Sequence, residues 1–414
     1  MRVPFSKSML RDAVLVAGLA IVTVLALRRW VGDRYLVPTG SMEPLLHGNP
    51  KGGDIVFVDK RADQARVRVG DLVVVKHPTE PGQQMVKRVA ASGDNVDCCI
   101  NIKDGDVWRG PDLQRLVREE KDPLAARSRQ VPWARGDGPL AQRDRLALAA
   151  AVPVDGSWRL PAAAGRADTL RASLREGANR ARHAANGTLE GHVGTARPVD
   201  AGFLDRAGNV RDVGSEHRVH DCSLTVQCTI GGGEVLATVD RAEAAFTFHW
   251  QPASGRVALW CNGEDIATGS VPRGDRASQS LEFGFLDDRL YFCVDADAAR
   301  LFVVKRPEWP ERGKVARTQL WLAVVDGEGS KADFTFGEIA VHHDVFADRE
   351  PISGLRGQPG SWPRRVSAGH WFLLGDSPFD SRDSRHFGEV PMASFVGVPW
   401  CVLGPWPRMR WVMP

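Results

Sequence analysis

The sequence predicts a mainly β chain with one N-terminal transmembrane helix, short-stranded antiparallel β regions near both ends and a larger β-sandwich between them. Three observations predict it. An uncharged apolar run occupies residues 13–27. Short β-branched runs opened by Gly-Asp pairs begin at residue 53, and short apolar strands return after residue 366. From about His217 to His343, aromatic strand-like runs are separated by turns such as Asn262-Gly263 and Asp326-Gly327.

After a short N-terminal segment, residues 1–12, the first element is the expected anchor at 13–30. Ala13 to Leu27 reads AVLVAGLAIVTVLAL, with Arg11 and Asp12 before it and Arg28, Arg29 and Trp30 after it. As a helix this run covers only ~22 Å at ~1.5 Å per residue, short of the ~30 Å hydrocarbon core. Snorkelling arginines and an interfacial Trp30 would make up the difference. A cleavable signal peptide is the rival reading, but Arg-Arg-Trp follows the run where a small-x-small cleavage site would stand. Arg2, Lys7 and Arg11 on one side and Arg28, Arg29 and Arg34 on the other leave the orientation undecided.

Next comes Leu36-Val-Pro-Thr-Gly-Ser-Met-Glu-Pro-Leu-Leu46. Pro38 and Pro44 restrict the backbone on either side of Ser41, and Gly40 permits a tight turn, so the Ser41 hydroxyl is presented at a fixed angle. A linker leaving an anchor would read the same way. The β-branched runs follow: Gly53 to Asp59, Gly70 to Lys76, and Gln84-Met-Val-Lys-Arg-Val-Ala90, which leads to Gly93-Asp94. On a two-residue period Lys87 shares a face with apolar Met85 and Val89, whereas Arg88 points the other way. A lysine so placed loses hydration, and its pKa falls toward the range where it serves as a base. An edge lysine reaching solvent is the plainer alternative.

Residues 31–103 therefore form a first β-domain segment. Residues 104–190 read as irregular connection with short helices, one of them expected at Leu170 to Ala185. Residues 191–345 read as the sandwich, and residues 346–414 as a second segment of the first β-domain. Asn186-Gly-Thr188 fits a glycosylation acceptor pattern too common to carry a role. Trp250, Trp260 and Trp321 fall at strand positions, where an aromatic is either core or a platform for a sugar ring.

Composition narrows the functional classes. A net charge of +3 gives no global reason to expect nucleic acid as a partner. The seven cysteines show no C-x-x-C spacing, so no metal site is indicated and no cofactor is called for. Cys98 and Cys99 are adjacent and poorly placed to pair with each other. Three of the thirteen tryptophans, Trp400, Trp406 and Trp411, lie in the last fifteen residues. The closing stretch, His370-Trp-Phe-Leu-Leu-Gly-Asp-Ser-Pro-Phe-Asp-Ser-Arg-Asp-Ser-Arg-His-Phe-Gly-Glu-Val-Pro391, sets Asp383 and Arg385 two apart. On an extended strand they would share a face and pair.

The Ser41 segment, the Gly-Asp strands, Met-Val-Lys-Arg-Val with Gly-Asp-Asn-Val after it, and the Leu-Gly-Asp to Val-Pro stretch occur in the order seen in bacterial type I signal peptidases. Matching blocks run over roughly residues 13–103 and 366–410, and the sequence resembles that Ser/Lys-dyad family. The resemblance implies Ser41 as nucleophile, Lys87 as general base, Thr39 with the Ser41 amide as oxyanion donors, and Ser381 as the hydroxyl that orients the lysine. It implies Asp383 with Arg385 as a structural ion pair, and Met42 and Val86 near the substrate pocket. The sequence departs from the family at Ser377-Pro378, where Asn-Arg is usual. The middle of the chain is then an inserted domain, and its strand rhythm resembles that of concanavalin-like jelly rolls.

The expected function is a membrane-anchored serine endopeptidase that removes signal peptides after small-x-small motifs. Its expected partners are precursor proteins and the lipid bilayer, with a glycan as candidate ligand of the sandwich. The family implies a single-pass protein of the cell (inner) membrane with the catalytic domain on the extracytoplasmic side. The main alternative is a membrane-tethered glycan- or cell-wall-binding protein with a vestigial peptidase core. A self-cleaving Ser/Lys peptidase of the repressor kind is disfavoured, because no DNA-binding helix pair is evident.

Overall fold

The computed structural model describes residues 7–94, 96–103, 105–126, 221–241, 244–305, 318–345 and 362–412, with short stretches between 131 and 219 and residues 347 and 349. The helix expected at Leu170 to Ala185 falls mostly outside the described residues, and Asn186-Gly-Thr188 falls wholly outside them. The chain divides into two compact units, one of residues 1–118 with 347–414 and one of residues 119–346. Both are built mainly from antiparallel strands.

The first unit begins with helix α1, Lys7–Trp30. Its C-terminal end is tied down: Arg28 Nε lies 3.0 Å from Asp33 Oδ1, and Lys60 Nζ donates to the Arg28 carbonyl at 2.8 Å. Among the described residues no helix is long and apolar enough to cross a membrane. The transmembrane span expected at residues 13–30 is therefore not shown, although a helix does cover them.

After α1 come β1 (Gly32–Leu36), β2 (Ile55–Asp59), β3 (Leu72–Lys76) and β4 (Gln84–Gly93). One sheet runs in the order β1, β2, Phe395–Gly404, β3, β4, His370–Leu374, Val390–Pro391, so strands from both ends of the chain alternate in it. A smaller sheet joins Arg364–Val366 to β5 (Cys98–Lys103), β6 (Asp106–Gly110) and β7 (Val117–Arg118). Period-two alternation gives the large sheet two apolar faces. Val56, Val58, Leu72, Val74 and Val402 pack on one, and Val73, Val75, Val89, Trp371 and Leu373 on the other. The register sets Val73 opposite Lys87 and Leu374 opposite Arg88, which fixes where Gly375 and Asp376 emerge.

The second unit is a two-sheet sandwich. One sheet centres on Asp333–His343, Cys222–Gly232 and Ser278–Leu286, the other on Ala244–Gln251, Glu234–Arg241 and Thr318–Val325. Phe246, Phe248 and Trp250 from one sheet share a core with Phe283, Phe285, Phe292, Phe334 and Phe336 from the other. Residues 104–190, read from sequence as irregular connection with short helices, carry where described a short helix at Pro123–Ala126 together with several short strands. Val131–Gly136 and Ser157–Leu160 pair with Asp333–His343, and Leu146–Ala149 with His192–Thr195. Their Ala- and Pro-rich sequences show no clear period, because partners far along the chain stabilise them. No disulfide links the seven cysteines.

Candidate active site

The turn that carries Ser41 is assembled by backbone bonds and two apolar anchors. Val37 N–H donates to the Asp54 carbonyl at 2.9 Å, and the chain then enters a 3₁₀ turn at Gly40–Met42. Glu43 N–H closes that turn on the Gly40 carbonyl at 3.0 Å, and Leu46 N–H reaches the Met42 carbonyl at 2.8 Å. Met42 and Leu46 are fully buried with Val37, Val56 and Val58, which fixes the turn against the sheet. Met42, expected near a substrate pocket, is thus a core residue, while Val86 is half-buried beside the same cluster.

Lys87 projects from β4, and its Nζ lies 2.7 Å from Ser41 Oγ. Its period-two neighbours Met85 and Val89 and its cross-strand partner Val73 belong to one apolar cluster. Burial is the largest influence on its ammonium and lowers its pKa to about 8, against an opposing pull from Asp383 and weaker contributions from Arg385, Asp376 and Asp380. The exposed Thr39 hydroxyl donates to Ser41 Oγ at 3.4 Å. Ser381 Oγ is buried and makes no hydrogen bond among the described residues.

Asp383 and Arg385 do pair, but not on a strand. Asp383 is the N-cap of a helical turn, Ser384–Phe387, with a capping box completed by His386. Arg385 Nε and Nη2 each donate to one Asp383 oxygen at 2.8 Å, and Asp383 also accepts from Gly375 N–H at 3.1 Å. Burial pushes the Asp383 carboxyl up, but the Arg385 charge and hydrogen bond and nearby Lys87 leave it lowered overall.

Sequence reasoning missed three contributors. Arg88 forms a two-pronged pair with Asp376, at 2.7 and 2.5 Å. Ser377 N–H donates to the Ser41 carbonyl at 3.1 Å, tying the closing segment to the turn that carries Ser41. Gly375 leaves the space this needs, since a Cβ there would lie 2.3 Å from Ser381 Oγ and 2.5 Å from the Ser41 carbonyl oxygen. The Leu-Gly-Asp sequence was the available signal. At the departing Ser377-Pro378 pair a turn still forms: Asp380 N–H reaches the Ser377 carbonyl at 3.1 Å, and Arg385 Nη2 holds the Pro378 carbonyl at 2.6 Å.

Residues 10–116 and 337–403 match the family model described as signal peptidase, peptidase S26, and together they contain every residue of this cluster. These two segments are similar to the signal peptidase family over somewhat less than half of the chain. The chain is 32% identical over 90 residues to signal peptidase I of Aquifex aeolicus, a match covering 21% of this chain and 34% of that protein. It is 34% identical over 82 residues to signal peptidase I of Pseudomonas fluorescens, covering 17% and 27% respectively. The chain thus spans about a third of the length of the curated relatives it matches. Among solved structures, the VIP36 exoplasmic/lumenal domain covers 51% of this chain and 89% of its own at 11% identity. Its TM-score of 0.31 carries no argument about ligands. Within the two matched segments, Thr39, Lys87 and Ser377 converge on Ser41.

Proposed function

We propose that the chain is a membrane-associated serine endopeptidase that removes signal peptides from exported precursors, with Ser41 as nucleophile and Lys87 as general base. The 2.7 Å separation of Lys87 Nζ from Ser41 Oγ, in a buried setting, carries the reading. Neutral Lys87 takes the Ser41 proton as Oγ attacks the carbonyl carbon that follows a small residue. The resulting oxyanion is stabilised by the Ser41 amide and the Thr39 hydroxyl. Collapse expels the new amine, which takes the proton from Lys87, and leaves an ester on Ser41. Lys87 then activates a water that hydrolyses the ester. Ser381 accepts a hydrogen bond from the charged lysine during turnover, and the Asp383–Arg385 pair holds the floor beneath it.

Seating at a bilayer on the extracytoplasmic side is part of the proposal. Apolar side chains along α1 from Val14 to Leu25 are exposed, as are Trp30, Trp400, Trp406 and Trp411. Such groups partition to the membrane and its interface. The decisive experiment is cleavage of a precursor with a small-x-small site by the detergent-solubilised chain. Ser41→Ala and Lys87→Ala should each abolish cleavage while the protein still folds, and near wild-type turnover by either variant would remove the dyad assignment.

A second reading, a tethered glycan binder, has one observation in its favour. The sandwich carries a recess of ≈ 160 Å³ lined by Arg171, His249, Gln251, Arg256, Trp260 and Asp265. Arg171 already lies over the Trp260 ring at 5.0 Å, however, and Trp250 and Trp321 are buried, so these three tryptophans present no open platform. Titration with neutral and acidic oligosaccharides, with Arg256→Ala as control, tests that reading separately.

A further inference from the structure

We infer that Glu43 is a positioning residue for the nucleophile, its buried carboxylate closing the loop of residues 40–48 so that Ser41 stays aligned with Lys87. The inference rests on the Ser/Lys reading above and adds a residue to it. Glu43 stands two residues beyond Ser41 and is 4% exposed. Its Oε1 faces His47 Nδ1 at 2.8 Å and accepts from Gly48 N–H at 3.1 Å, so one oxygen gathers two groups of the returning limb. That limb packs directly on the backbone leading into Ser41. A Cβ on Gly48 would lie 1.7 Å from the Thr39 carbonyl oxygen and 2.5 Å from the Gly40 nitrogen.

The same loop is fastened at its far end. His47 N–H donates to Asp54 Oδ2 at 3.0 Å, and Asp54 N–H donates to the His47 carbonyl at 2.8 Å. Asp54 is fully buried and takes Arg408 Nε at 2.7 Å and Arg410 Nη2 at 3.0 Å. A continuous polar network therefore runs from the C-terminal segment through Asp54 and His47 to Glu43. Burying a carboxylate costs several kcal/mol unless it is well paired, so packing alone would favour an apolar residue here. What the carboxylate supplies is direction: two hydrogen bonds that hold the loop's return, and with it the angle at which the Gly40–Met42 turn presents Ser41.

Glu43→Ala, Glu43→Gln and His47→Ala in the full chain test this. The readouts are kcat and KM on a small-x-small precursor, the rate of Ser41 acylation by an activated ester, and the thermal midpoint. Glu43→Ala should lower kcat and the acylation rate by about 10- to 100-fold, the scale of a small misplacement of reacting groups, with KM changed by less than about twofold. Glu43→Gln keeps an oxygen for both donors and should recover most of the loss. A folded Glu43→Ala with kcat and acylation within about twofold of wild type overturns the inference, as does a Gln variant as impaired as the Ala variant. If Glu43→Ala does not fold, His47→Ala is judged by the same criterion. A wild-type chain that leaves the precursor intact would remove the signal-peptidase reading alone, because acylation by the activated ester still reports the alignment of Ser41.

Discussion

Lys87 Nζ and Ser41 Oγ lie 2.7 Å apart although 46 residues separate them in the chain. The turn and the strand that bring them together are each fixed by local packing, Met42 in one apolar cluster and Val73 opposite Lys87 in another. The pair is therefore set before substrate arrives, and its consequences can be measured.

The first consequence is a pH dependence. At an ordinary pKa of about 10.4, roughly one lysine in a few thousand is neutral at pH 7, whereas at about 8 roughly one in ten is. On the proposed dyad the neutral form is the base, so kcat/KM should rise about tenfold between pH 7 and a plateau above 9, with a midpoint near 8. Stability has the same sign. The unfolded lysine holds its proton to higher pH than the folded one, so the folded state gains as pH rises from about 8 toward the ordinary value. Cleavage assays from pH 6 to 10 check the first statement, and a flat profile or a midpoint near 6 would exclude a lysine base.

Ser381 separates a catalytic role from a structural one. Its buried hydroxyl makes no hydrogen bond among the described residues, so Ser381→Ala removes an unsatisfied polar group and should leave the thermal midpoint unchanged or raised. If that hydroxyl holds the charged lysine during turnover, kcat should nonetheless fall by about 10²-fold, the usual scale for a lost preorganised hydrogen bond at a reacting centre. Unchanged kcat would confine Ser381 to packing.

How legible this was in the sequence differs from residue to residue. Lys87 could be singled out because a two-residue period places it between Met85 and Val89, and the closing motif singled out Asp383 and Arg385. Their geometry was misread: two residues apart suggested a shared strand face, but Asp383 competes for backbone N–H groups and caps a helical turn instead. Gly375 was legible only as part of the Leu-Gly-Asp sequence, and its contact and that of Ser377 with the Ser41 carbonyl depend on backbone brought in from elsewhere in the sheet, while the Glu43 contacts with His47 and Gly48 appear only once its own loop has folded back. The strands between residues 106 and 160 were hidden for the same reason, their order coming from partners such as Asp333–His343 rather than from local pattern.

The Asp383–Arg385 pair should behave as a buried ion pair that is costly to break. Asp383→Asn leaves the Arg385 charge without its partner in a dry site, a loss of about 3–5 kcal/mol measurable by denaturant titration. In the wild type the Asp383 carboxyl is held below its ordinary pKa, so its contribution is present above that value and disappears as pH falls through the folded one. The same substitution removes the main influence raising the Lys87 pKa, so the alkaline rise in activity should shift to lower pH in any Asp383→Asn protein that remains folded. An unshifted profile would uncouple the two groups.

The two compact units make a final test of whether chemistry and sandwich are energetically separate. Trp250 is fully buried between the sheets of the second unit, packs 5.4 Å from the Phe292 ring, and donates from Nε1 to the Val271 carbonyl at 2.8 Å. Trp250→Ala should therefore cost about 3–5 kcal/mol, because the cavity adds to the lost transfer energy and the Val271 carbonyl loses its donor. Every catalytic group proposed here belongs to the other unit. Below the lowered unfolding transition kcat should stay within about twofold of wild type, the range expected for sites that share no partners. Parallel measurement of thermal unfolding and precursor cleavage decides the point, and a catalytic loss already present below that transition would show that the sandwich takes part in the reaction.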